Sequence, residues 1–440
     1  MTRKNFSKYT RLIGLLALTM VLTTACTQRI GVSWANMSIV TSAEDILVAY
    51  ESDLALVSRS NGFLVTQDLQ GTTNVRDASG VWKLNGRDVG AQFYTAPLFV
   101  EYGEDRLMLV ADYNNRLFTV NFTQACFANR VGACVGQEPP FIELPDHSLA
   151  NMTQDDQRIY VPLDNGVMAL NKGLYEAGWD VDSPEERRRR FDETLTVAWT
   201  LETEREVWAT PIIFDGYVYV TSMDHHLYKV DAETGETVAK LKLSGAIASS
   251  AIIYDGETTL TADHPFGEPI TINTEDAYIY VGTFGHKVYK IPLNFQSEAE
   301  ESSLISFKTK NWVWGAPSLI DGVLYVADLG GNVYALDVMG TEISQIWHTS
   351  ANSGGIRAAP LVTENHVIVA SREGKVHWLS REDGSIFTEQ DVRNEVLSDL
   401  LLVEGDENRE ALVVVSTVNT SRIMVAFTLE GAPRWTYPSS

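Results

Sequence analysis

Between Leu324 and Gly340 the chain reads LYVADLGGNVYALDVMG, two runs of alternating apolar positions broken at Gly330 and Gly331. Alternation with period two around a glycine turn predicts a β-hairpin. The same hairpin recurs. VYVTSMDHHLYKVDAETG starts at Val218, IYVGTFGHKVYKIPLN at Ile279 and VIVASREGKVHWLSREDG at Val367. In these four copies the central strand positions lie nine residues apart, as Tyr219 and Tyr228, Tyr280 and Tyr289, Tyr325 and Tyr334, Ile368 and His377. Looser copies begin near residues 46, 107, 159 and 413.

Two further signals flank the hairpins. Before most of them a small residue, one more residue and Pro lead into an apolar strand: TAPLF at Thr95, ATPII at Ala209, GAPSL at Gly315 and AAPLV at Ala358. SSAII at Ser249 is the same with Ala251 in place of Pro. Asp-Gly pairs at 215–216, 255–256 and 321–322 turn this strand into the hairpin. After the hairpin comes a strand that often carries Trp: Trp82, Trp199, Trp347 and Trp435. Each unit therefore supplies four short strands in roughly 40–60 residues. Eight units are counted, with seven as the alternative. The fold class is all-β: four-stranded antiparallel blades arranged radially in a β-propeller. SWANMSIV at the start reads as an inner strand, and GAPRWTYPSS at the end as a Trp strand with no hairpin after it. The expected closure is the C-terminal strand pairing into the first blade, which leaves no unpaired ring edge.

Composition narrows the class. The 440 residues are 45% hydrophobic and 21% charged, with a formal net charge of -24. That is a folded chain whose charge repels nucleic acid, so nucleic-acid binding is excluded. Arg3, Lys4, Lys8 and Arg11 precede the apolar run LIGLLALTMVLTTAC. A short apolar run after basic residues reads as a signal peptide, residues 1–25. Ala25 before Cys26 is similar to a bacterial lipobox, with Thr23 where Leu is usual. Cys26 is the candidate lipidation site, 26–31 a tether, and 32–440 a single propeller. The other two cysteines, Cys126 and Cys134, are expected to form a disulfide in an exported chain.

The pattern AP…DG-x-LYV…G-x-VYALD…G…W resembles the pyrroloquinoline-quinone (PQQ)-type propeller repeat. The resemblance runs through most of residues 32–440 and is strongest from about 197 to 390. Such repeats build both quinoprotein dehydrogenases and non-enzymatic scaffolds, among them BamB-like outer-membrane protein assembly lipoproteins. A fold alone does not choose between them. The dehydrogenase resemblance implies a vicinal disulfide, which this sequence lacks, and a calcium site. DVDSPEE at Asp180 lacks the glycine turn of a calcium loop. No cofactor, PQQ, calcium or other metal, is expected. The scaffold resemblance implies envelope proteins as partners, the outer-membrane barrel insertase among them. It also implies a monomer held at the membrane by its N-terminal lipid, facing the periplasm where the host has an outer membrane and the cell surface otherwise.

Candidate sites follow from the ring. The residue directly before each small-x-Pro signal falls at one mouth of the central channel: Trp34, Tyr94, Trp208, Trp314 and Arg357, with Leu149, Ala248 and Leu397 at equivalent positions. Aromatics with Arg favour binding, of a small molecule or glycan for instance. The same residues also suit a packed plug, and both readings stand at this point. His225 and His226 fall in a hairpin turn and on opposite strand faces, which opposes a shared metal. SPEERRRRFDE at Ser183 predicts a short basic surface helix. No GxSxG, HExxH or P-loop motif, and hence no catalytic residue, is found.

Overall fold

The computed structural model describes residues 37–40, 45–50, 53–62, 82–83, 93–102, 105–121, 141–173, 195–262, 270–297, 299–419 and 421–438. The opening hairpin is Val323–Ala327 against Asn332–Asp337, with Tyr325 opposite Ala335 and Val326 opposite Tyr334. Ser318–Ile320 lies on its inner side and Ser344–Ser350 on its outer side. The described residues hold eight such antiparallel sheets in chain order, within 37–83, 98–143, 153–202, 212–242, 252–308, 318–350, 361–391 and 401–437. They are numbered 1 to 8 below. Helix among the described residues is one turn at Glu301–Ser303, and no helix there is long and apolar enough to cross a membrane.

Both faces of each hairpin are buried, and the alternation sorts side chains between two neighbours. Leu324, Val326, Tyr334 and Leu336 pack with Ile252 and Tyr280 of sheet 5. Tyr325, Ala327, Val333 and Ala335 pack with Val367 and Val369 of sheet 7. Period two thus separates one neighbouring sheet from the other rather than core from solvent. The same sharing links each consecutive pair of sheets. The last cluster joins Val414 and Ala426 of sheet 8 to Ile46, Val48 and Val57 of sheet 1. The ring is closed, and the predicted propeller class holds.

The manner of closure differs from the sequence expectation. The C-terminal strand Pro433–Tyr437 pairs with Met424–Thr428 of its own sheet, Trp435 opposite Ala426. It does not enter the first blade. Sheet 1 already has a fourth strand, Trp82–Lys83, paired with Asp53 and Leu54. No strand position is vacant, so the ends meet through side chains. The Trp435 indole donates to the Arg59 carbonyl at 2.7 Å. Its ring lies on Gly62, where φ is +71° and an added Cβ would sit 2.7 Å from a ring atom.

That contact repeats within the ring. Trp199 of sheet 3 donates to Ala232 of sheet 4 at 3.0 Å and covers Gly235. Trp347 of sheet 6 donates to Arg381 of sheet 7 at 3.1 Å and covers Gly384. Each glycine has positive φ and no side chain, which lets an indole lie flat on the turn. Sheet 5 departs from the pattern. Thr259–Leu260 pairs with Ile252–Tyr254 as a fifth strand on the inner edge. The Thr259 hydroxyl donates to the Leu319 carbonyl of sheet 6 at 3.2 Å.

Candidate functional site: the channel mouth

Each mouth residue is aimed by its two neighbours. Val207, Val313 and Ile356 precede Trp208, Trp314 and Arg357, and each is essentially fully buried. Their backbone N–H groups donate to Leu163, Thr283 and Asp328 in the hairpin turn of the preceding sheet, each at 3.2 Å. Ala209 and Ala358 on the other side of Trp208 and Arg357 are buried too. In an extended segment the residue between two buried ones faces the opposite way. A small residue plus a pinned backbone therefore turns the intervening side chain toward the mouth.

The structure brings three of the predicted residues together. Trp208 stacks on Trp314 with centroids 5.5 Å apart and planes at 26°. Ala248 holds the equivalent position in the repeat between them. The Arg357 guanidinium lies 3.8 Å from the Trp314 centroid. Phe284, from the sheet 5 hairpin turn, reaches Trp314 at 5.1 Å. Trp314 is thus in contact with Trp208, Arg357 and Phe284 at once. Burial pulls the Arg357 guanidinium down to about 10, with Arg372 adding repulsion and Glu395 and Asp399 opposing it. It remains a cation at neutral pH, held against an indole face.

Tyr94 joins a second group. It packs 5.0 Å from Tyr113, which stacks on His147 at 4.4 Å. Burial, then the nearby Tyr113, raises the Tyr94 phenol above its ordinary value.

A family model described as outer membrane protein assembly factor BamB matches residues 184–279 and 330–440. The outer membrane protein assembly factor BamB of Bordetella pertussis is 23% identical over 276 residues, 56% of this chain and 69% of that protein. Its counterpart from Marinobacter adhaerens is 26% identical over 100 residues, 21% of this chain and 25% of that protein. The crystal structure of BamB from Moraxella catarrhalis covers 89% of this chain and 96% of its own, with a TM-score of 0.54 at 13% identity. The chain is a PQQ-like, BamB-like repeat protein. The solved structure carries the fold, and the two relatives carry the repeat likeness.

Within this PQQ-like ring, sequence reasoning missed Phe284, Trp312, Tyr113 and His147. Trp312 stacks on Phe284 at 5.1 Å with planes 11° apart and is 45% exposed. The signal for Trp312 was present: W-V-W at 312–314 puts two indoles on one side of an extended segment. Tyr113 and Phe284 lie in hairpin turns, which the small-x-Pro signal does not mark.

His147 lies 3.0 Å from Asp164 and 3.3 Å from Asp146. Asn165 donates to Asp146 at 2.6 Å. The three donor atoms are close enough for one ion, but each already has a partner inside the cluster. Burial raises the Asp164 carboxyl, and the Asp146 charge adds to it while His147 opposes both. His225 lies in the polar hairpin turn, and His226 opens the strand His226–Asp231 that follows. His225 takes φ +74°, and His226 bonds Asp224 at 3.1 Å. Trp34, Cys26, Cys126 and Cys134 lie outside the described residues, as does the run Arg187–Arg190.

Proposed function

We infer that this ring is a non-enzymatic, extracytoplasmic scaffold that holds partner proteins of the cell envelope, in the manner of an outer membrane protein assembly factor. One observation carries the reading: the BamB match spans separate sheets, in 184–279 and again in 330–440. The likeness therefore belongs to the ring and not to one repeat. The mouth agrees with this. Trp314 packs against Trp208, Arg357 and Phe284, and we read this partly buried cluster as a plug. The reading invokes no cofactor. A lipid on Cys26 would tether the ring, and loops at the rims would meet the partner. The barrel insertase is the partner this reading names.

The test is an affinity capture of the tagged full-length protein from detergent-solubilised host membranes, with crosslinking and mass spectrometry. Recovery of a barrel-insertase subunit crosslinked to rim loops is the expected result. Recovery of no envelope-assembly protein overturns the reading for this host.

A further inference from the structure

The aromatic ladder does not end in the plug. From Trp314 it continues through Phe284 to Trp312, the outermost ring, which is 45% exposed. Both outer rings are held by their backbones. Phe284 N–H donates to Ala246 at 2.9 Å, and the Trp312 carbonyl accepts from Leu329 N–H at 2.8 Å. Trp312 therefore presents an indole to solvent from a fixed backbone, next to a second ring.

The exposed charges nearest Trp312 along the chain are basic, although the buried Asp328 carboxylate accepts from the Asn311 N–H beside it. The protein carries a net charge of -24. Beside Trp312 stand the exposed Lys308 and Lys310, with His286 donating toward the Lys310 carbonyl at 3.3 Å. Lys310 Nζ lies 3.3 Å from His348 Nε2, and burial, then the Lys310 charge, holds the imidazole pKa below its ordinary value. Lys308 stands directly opposite Lys287 in the strand pairing. Like charges at opposed positions destabilise a sheet. Lys287 is matched by Glu301 at 2.6 Å, and the ion pairs given for the described residues supply no acid for Lys308 or Lys310.

We propose that Trp312, Phe284, Lys308 and Lys310 form a contact for an anionic lipid surface. The rings sit on a turn and a loop at the rim. That suits insertion into a soft interface, where indoles gather at headgroup depth and lysines meet lipid phosphates. Charge complementarity favours this occupant: on a polyanion, the rim with unmatched lysines is the part an anionic membrane attracts. On a tethered molecule a basic patch would turn one rim toward an anionic surface. The inference concerns orientation at the membrane and does not depend on the partner proposed above.

The experiment uses the full chain and vesicles of phosphatidylcholine with phosphatidylglycerol, their acyl chains brominated. Bromine quenches indoles that reach the acyl region, and the difference between wild type and Trp312→Tyr isolates Trp312. Binding alone is not read, because a lipid on Cys26 would also bind vesicles. Expected is a quenched Trp312 share that falls several-fold in phosphatidylcholine vesicles and in the Lys308→Glu/Lys310→Glu double variant, with thermal melting unchanged. Equal quenching of wild type and Trp312→Tyr overturns the proposal. So does Lys308- and Lys310-dependent binding of poly-glutamate with no quenching of Trp312, which would make the occupant an acidic polypeptide.

Discussion

Trp435 and Arg59 stand 376 positions apart in sequence and share one hydrogen bond, indole N–H to carbonyl at 2.7 Å. Through it the last sheet grips the first in the way Trp199 and Trp347 grip their neighbours. Around it the Arg59 guanidinium donates to the Glu410 carbonyl at 3.0 Å. The seam is an ordinary inter-sheet contact whose two partners come from opposite ends of the chain.

Trp435→Phe keeps an aromatic ring, though a smaller one, and strands the Arg59 carbonyl beneath it. A buried acceptor without its donor costs about 1–3 kcal/mol. Urea unfolding of the full chain is expected to show this loss. Gly62→Ala is expected to cost at least as much, because its Cβ would meet the Trp435 ring at 2.7 Å in a positive-φ turn. Unchanged midpoints in both variants would show that the seam does not limit stability.

Trp314→Ala removes the centre of the mouth cluster and leaves Arg357 over a void. Its expected cost is about 2–4 kcal/mol, from lost burial and the lost cation–π contact. Trp208→Ala, at the cluster's edge, is expected to cost less. A plug predicts that thermal stability falls while partner capture by folded protein persists. Full stability together with lost capture would instead make the mouth the partner site.

His377 is buried and bonds the Ser353 hydroxyl at 2.7 Å, with Glu389 at 3.5 Å from its other nitrogen. The trio is a structural tie. The same register holds Tyr289, bonded to Ser244 N–H, and Tyr334, bonded to Lys310 N–H. Burial lowers the His377 pKa, with Glu389 opposing and Lys375 assisting the shift. The unfolded chain then binds the proton more readily. The stability His377 contributes is complete above the ordinary histidine value of about 6.5 and falls as pH drops through that value toward its lower folded pKa. Urea midpoints measured from about pH 7 to 5 are expected to decline less steeply in His377→Gln than in wild type. Parallel curves would remove His377 from the acid response.

Cys126 and Cys134 are expected to resist alkylation until reduced, as read by intact mass. Two free thiols in protein recovered from the envelope would end the disulfide reading. The same spectrum tests Cys26, where a diacylglyceryl mass on wild type and its absence in Cys26→Ser are expected.

The hairpin spacing, the small-x-Pro entries and the Asp-Gly turns are local, and they were enough for the propeller class and for singling out Trp208, Trp314 and Arg357, which the structure brings together. Local signals suffice there because strand period and turn chemistry act over a few residues. They also placed His225 in a turn. The packing of Trp314 on Phe284 was not legible, because Phe284 comes from the hairpin turn of another sheet.

By itself, then, the sequence determined which residues enter strands and that the units must pack into a ring, since each hairpin is apolar on both faces. Tertiary structure alone decided how the ring closes. The fourth strand of sheet 1 comes from Trp82–Lys83, so the C-terminal strand stays in its own sheet and Trp435 makes the seam. A repeat specifies a contact with the next repeat. Which residue is next to the last one is a property of the closed ring, and no local pattern encodes it.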